Sequence, residues 1–155
     1  MFYLIDGDVL PRKHHCFIEK TIIFLKNFYN LNSNNNDVVI TFIDNMNKKA
    51  GKWGSCRYIK DKNLFHIKIC VNNINFMIET LRHEFVHVKQ FIYDDLNIDA
   101  ENSSIMFKGY KYVGENFSHP QNPWEQEAYR MQTELYTQLI NTLSYDDLEY
   151  LKGQL

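Results

Sequence analysis

The sequence predicts an α+β fold, a small sheet of about three or more strands packed on a long buried helix, with a second helix approaching the first. Three observations predict it. Residues 38–43 are β-rich, and 53–59 and 64–71 bracket a polar turn, so the three segments read as strands. They precede two segments with helical periodicity, one ending near Ile92 and one beginning near Pro123. The first of these carries His83-Glu84-Phe85-Val86-His87, an HExxH pattern whose two His are helical neighbours. Few strands with helices alongside suggest an α+β domain, with the sheet packed on the HExxH helix. The 155 residues are expected to form a single domain, 1–155, large enough to bury a core without disulfides.

Each element has a local reason. Residues 14–30 read as a first helix, with Ile18, Ile22, Leu25 and Tyr29 on one face and Phe17, Phe24 and Phe28 widening it. Asn32-Ser33-Asn34-Asn35-Asn36 is a polar turn before the first strand. Lys60-Asp61-Lys62-Asn63 separates the second and third strands as a hairpin turn. Asn72 or Asn73 is suited to cap the next helix. At about 100° per residue, Met77, Ile78, Leu81, Phe85, Val88 and Ile92 form its core face. Glu79, Arg82, Lys89 and Gln90 form its expected solvent face, with Val86 out of place. The third sector holds Phe76, Thr80, His83, Glu84, His87 and Phe91. Residues 94–123 are long for a plain connection, and 105–113 suggest a strand pair or an aromatic flap. Pro123 sits at or before the first turn of the last long helix, whose stripe is Trp124, Ala128, Met131, Leu135 and Leu139. A short tail follows.

The chemistry lies on the HExxH face. Two imidazoles at i and i+4 can hold one Zn²⁺, and the Glu after the first His can reach an activated water as general base. Zinc lowers the pKa of water to about 7 and polarises a carbonyl, which points to hydrolysis. A catalytic zinc needs a third protein ligand and an open fourth position. Val88 to Tyr93 offers no third His at the short downstream spacing. Glu125 and Glu127 are the candidates. Glu125 lies beside the apolar stripe, flanked by Tyr129, Gln132 and Tyr136, whereas Glu127 falls among Arg130, Glu134 and Gln138 on the expected solvent side. Glu125 is the better ligand, with Glu127 the alternative.

The HExxH, followed on a later helix by Glu125-Gln126-Glu127-Ala128-Tyr129, resembles the gluzincin metallopeptidases, whose zinc is held by two His and one Glu. Tyr129 stands where that family more often has Asp. Lys52-Trp53-Gly54-Ser55-Cys56-Arg57, a strand and then the HExxH helix are similar to WGSC-type and SprT-like metallopeptidases, and the size to minigluzincins. The resemblance spans roughly residues 38–140. It implies a zinc metalloendopeptidase with His83, His87 and Glu125 as ligands and Glu84 as catalytic base, acting on a protein or peptide substrate. It also implies an edge strand along the cleft to which a peptide adds by main-chain pairing: residues 64–71, or 53–59 if the strand order differs. Tyr110, Tyr112, His119 and Tyr129 are the candidates for stabilising the oxyanion. His14, His15 and His66 lack ligand spacing.

Composition narrows the alternatives. A net charge of −2 gives no general attraction to nucleic acid, which weighs against a DNA-associated SprT-like protease. Lys48, Lys49, Lys52, Arg57, Lys60 and Lys62 read as a solvated hairpin before they read as a binding patch. Cys16, Cys56 and Cys70 contain no CxxC pair, so buried free thiols are expected, although Cys56 and Cys70 could face each other across a hairpin. The first residues lack a signal-peptide pattern and no stretch suits a membrane span, so a cytoplasmic protein is expected. A catalytically weak or inactive peptide-binding module is the remaining alternative.

Overall fold

A computed structural model describes residues 1–6, 10–44, 53–99, 101–114 and 116–154. The fold is α+β. Strand β1 (Tyr3–Asp6) leads into helix α1 (Arg12–Phe28) and strand β2 (Asp37–Ile43). Strands β3 (Gly54–Ile59) and β4 (Leu64–Cys70) precede helix α2 (Ile74–Ile92). Three short strands follow, β5 (Leu96–Asp99), β6 (Ser104–Phe107) and β7 (Tyr110–Val113). Helices α3 (Pro123–Ile140) and α4 (Tyr145–Lys152) close the chain.

The main sheet has four strands in the order β1-β2-β4-β3. β1 and β2 are parallel, as are β2 and β4, whereas β3 runs antiparallel to β4. The additional strand is the apolar run at Tyr3–Asp6, too short to show a period by itself but paired along its length with Val38–Thr41. β2 and β4 are therefore central and β1 and β3 lie at the edges, so of the two strands the sequence offers as an edge it is β3 and not β4. Alternation sets the buried face: Val38, Ile40 and Phe42 on β2 and Phe65, Ile67 and Ile69 on β4 are buried in the core. Cys56 pairs with Ile67, and Cys70 lies beyond the paired stretch, so the two thiols do not face each other. Cys16 is exposed and Cys56 partly so, which corrects the expectation of three buried thiols; only Cys70 is buried.

The turn between β3 and β4 is a single 3₁₀ turn at Lys60–Lys62, closed by Asn63 in the left-handed region at φ 47°. Asn suits that region because its short polar side chain tolerates it. Of the basic cluster, Lys48, Lys49 and Lys52 lie outside the described residues.

Helix α2 starts where Asn73 caps it, its side chain accepting from the Phe76 amide at 2.9 Å. Met77, Ile78, Leu81, Phe85 and Val88 are buried as the periodicity predicts. So are Val86, Arg82 and Gln90, which the sequence places toward solvent. Helix α3 packs against that side, so the expected solvent face is an interface between helices. Arg82 survives there because its polar atoms are engaged. Its Nε donates to the Ile78 carbonyl, its Nη1 donates to the Gln132 carbonyl at 2.6 Å, and its guanidinium lies 4.7 Å from the Tyr136 ring. Burial pulls its pKa down to about 10, against the charge of Glu79.

Residues 94–123 hold the antiparallel sheet β5-β6-β7, which includes the expected strand pair. Leu96, Ile105 and Phe107 close over Trp124 in a second, smaller apolar cluster. The expected tail is helix α4, capped by Ser144 and Asp147 and tied to α1 by Lys20–Asp147 at 2.7 Å and by a Phe17–Tyr150 stack at 5.3 Å. Among the described residues, no helix is long and apolar enough to cross a membrane.

Candidate metal centre

Helices α2 and α3 bring His83, His87 and Glu125 together. His83 Nε2 lies 3.1 Å from one Glu125 oxygen, and His87 Nε2 lies 3.4 Å from the other. The possible ligand atoms all fall within 4.8 Å of one another. Four atoms around a tetrahedral zinc at about 2.0–2.2 Å lie roughly 3.3–3.6 Å apart, a spacing close to the two His–carboxylate separations. The donor set, two imidazoles and one carboxylate, could hold a metal ion. Among the described residues this is the one such convergence of His, Cys, Asp and Glu side chains.

Local sequence explains the convergence. His83 and His87 are one helical turn apart, with ring centroids 5.1 Å apart. Pro123 at the start of α3 places Glu125 in the first turn, where the helix dipole favours an anion. Burial pushes the Glu125 carboxyl up, but hydrogen bonds from His83 and His87 outweigh it and hold the pKa at about 2. Burial pulls His87 down, and contact with Glu125 together with the charge of Glu84 raises it overall.

The other imidazole nitrogens meet amide oxygens. His83 Nδ1 is 3.0 Å from Gln132 Oε1, and His87 Nδ1 is 2.8 Å from Gln90 Oε1. Gln90 Nε2 donates to the Trp124 carbonyl at 3.0 Å, and Gln132 Nε2 donates to Glu79 at 3.2 Å. The sequence reading passes over both glutamines. Gln90 stands three residues from His87 and Gln132 seven from Glu125, spacings that return a helix to the same face.

A cavity of about 450 Å³ is lined by His83, His87 and Glu125 together with Trp53, Gly54, Phe117, Pro120 and Tyr129. Glu84 lines it and is buried. Strand β3 passes so close to α2 that a Cβ on Gly54 would come within 2.5 Å of both Glu84 Oε1 and Thr80 Cγ2. Glycine is the residue that lets backbone and carboxylate meet there. The Trp53 ring meets Phe76 edge-on at 5.0 Å and sets the cleft wall. Cys56 also lines the cavity, and burial together with the charge of Glu84 pushes its thiol well up.

Of the four oxyanion candidates, Tyr129 lines the cavity, its ring 4.7 Å from that of His83. Burial and then the charges of Glu125 and Glu84 raise its pKa. Tyr110 is exposed on β7, and Tyr112 packs edge-on against Trp124 at 5.4 Å. His119 is exposed, its Nδ1 accepting from the Gln121 amide at 3.3 Å. These three stand outside the residues that line the cavity. Glu127 is not the solvent-facing acid the sequence suggests. It is half-buried and pairs with Lys89 at 3.3 Å and Lys108 at 2.9 Å, away from the ligand group. The docking of β6 and β7 onto α3 supplies Lys108 and creates that network. His66 bonds to Thr41 on the sheet at 2.9 Å and takes no part in the group.

No protein-family model matches the sequence, and comparison with curated proteins and with solved structures likewise finds no match.

Proposed function

We propose that the chain is a zinc-dependent metalloendopeptidase. The observation that carries this reading is the convergence of two imidazoles and one carboxylate whose possible ligand atoms lie within 4.8 Å of one another, in a cleft that Glu84 also lines. Zinc held by His83, His87 and Glu125 would supply a Lewis acid that polarises a peptide carbonyl and acidifies water.

The remaining chemistry belongs to the chain. Glu84 takes the proton of the attacking water and delivers it to the leaving amine. Gly54 leaves room for that carboxylate. Of the four oxyanion candidates only Tyr129 lines the cavity, and on this reading it donates to the developing oxyanion. An extended peptide would add to the outer edge of β3 by main-chain hydrogen bonds, with Trp53 beside it.

The test is metal analysis of the purified protein followed by digestion of a broad peptide library. One zinc per chain and internal cleavage that disappears with a chelator are expected. Zinc-loaded protein that cleaves nothing but binds library peptides would replace this reading with a peptide-binding module. Retention on DNA that weakens steeply with salt would favour the DNA-associated alternative.

A further inference from the structure

A ligand imidazole is usually held by a hydrogen bond from its second ring nitrogen, which sets its tautomer and its aim. Two glutamines occupy the role here. Gln132 Oε1 lies 3.0 Å from His83 Nδ1, and Gln90 Oε1 lies 2.8 Å from His87 Nδ1. Neither amide can turn over without loss. Gln132 Nε2 donates to the Glu79 carboxylate and Gln90 Nε2 to the Trp124 carbonyl, and both of those partners only accept. Each amide oxygen is therefore committed to its histidine. An amide oxygen also only accepts, so the glutamine contacts call for a proton on each Nδ1, while each Nε2 faces a Glu125 oxygen.

We propose that Gln90 and Gln132 are positioning residues that fix the Nδ1–H tautomer of His87 and His83 and aim both Nε2 atoms at one metal ion. The proposal rests on the metal reading of the site and not on peptide hydrolysis. The two anchors are reciprocal. Gln90 on α2 is held by α3, and Gln132 on α3 is held by α2 through Glu79. The Gln132 backbone is held as well, since its carbonyl accepts from Arg82 Nη1 at 2.6 Å. The docking of the two helices thus orients both His ligands along with Glu125. A neutral amide does so without adding negative charge to the site.

The experiment measures zinc affinity by competition with a chromophoric chelator. Gln132→Leu should weaken zinc binding by about 10–100-fold while keeping the circular dichroism spectrum. The double variant Glu79→Gln/Gln132→Glu reverses donor and acceptor across the same contact and restores an acceptor at His83 Nδ1. It should recover wild-type affinity or exceed it, a rescue that a merely structural role would not produce. Proton–nitrogen correlation spectra of the imidazoles should show a protonated Nδ1 on both His of the zinc-loaded protein. Gln90→Leu tests His87 in the same way; because Gln90 is fully buried, the half-exposed Gln132 carries the decision if that variant does not fold. Unchanged affinity in Gln132→Leu, a double variant no better than the single one, or a His83 protonated only at Nε2 would overturn the proposal. If the wild-type chain binds no zinc, the metal reading itself falls. The proposal falls with it, whereas zinc binding that Gln132→Leu leaves unchanged overturns the proposal alone.

Discussion

A carboxylate that moves protons need not ligate, and this separates Glu84 from Glu125. Glu84→Gln should retain zinc and lose about 10²–10⁴-fold of peptide hydrolysis, since positioned proton transfer contributes on that order. Metal content and initial rates of library cleavage, measured on one preparation, check it; full activity in the zinc-loaded variant would remove Glu84 from the mechanism. Gly54 offers a second test at the same scale. A methyl there meets Thr80 Cγ2 and Glu84 Oε1 at 2.5 Å, well inside ordinary contact. Thr80 is buried and branched, so it yields less readily than the end of a Glu side chain. Gly54→Ala should cost about 1–3 kcal/mol by overpacking and move the Glu84 carboxylate. Urea unfolding reads the first effect, and a fall in activity larger than any fall in zinc content reads the second. An unchanged midpoint with unchanged rate would mean that β3 simply withdraws.

Helix α4 shows how an element of eight residues is kept in place. Too short to persist alone, it depends on its cap and on docking. The Ser144 hydroxyl accepts from the Asp147 amide, and the Asp147 side chain accepts from the Ser144 amide, each at 3.2 Å. Ser144→Ala should destabilise the protein by about 1 kcal/mol, seen as a lower urea midpoint. Asp147 also accepts from Lys20, and that hydrogen bond is the main reason its pKa lies below 3.8. A depressed carboxyl stabilises the fold fully above its unfolded value and loses that contribution as pH falls through the folded one. The stability gap between wild type and Asp147→Asn should therefore be open at neutral pH and close in acid below about pH 3.8. A gap that stays constant with pH would assign the contact no role in stability.

Across the whole molecule, an ion held by His83, His87 and Glu125, as proposed, would tie together two helices that the β5-β6-β7 segment separates in sequence. Zinc bound only by the folded state stabilises it by about 2.7 kcal/mol at a hundredfold excess over Kd. At about 2–4 °C per kcal/mol, that is a melting shift on the order of 5–10 °C. The main core does not need the metal, since Phe65, Ile67, Ile69, Leu81, Phe85 and Leu135 are buried together. The metal-free chain should accordingly stay folded at room temperature and melt lower, unlike a zinc finger. Thermal melts with and without chelator, followed by circular dichroism, check both halves. Equal melting temperatures after proven zinc removal would argue against a bridging site, and unfolding at room temperature would argue against a self-sufficient core.

Helical spacing alone placed His83, Glu84 and His87 on one face, picked the α2 core stripe and set Glu125 beside the stripe of α3, because those relations are local and recur every turn. The runs at 38–43, 53–59 and 64–71 were legible for the same reason, as β-rich segments bounded by polar turns. Only tertiary structure decided which strand is the edge, since a run of apolar residues does not record its neighbours. It also decided that Arg82 and Gln90 are buried, because a polar side chain whose hydrogen bonds are met inside looks, in sequence, like one met by water. The same holds for Glu127, which faces Lys89 and Lys108 only once β6 and β7 have docked. The partners of the two His ligands fall in this class as well. Gln90 and Gln132 acquire their place from the packing of one helix on the other, a relation between distant parts of the chain that no local period carries.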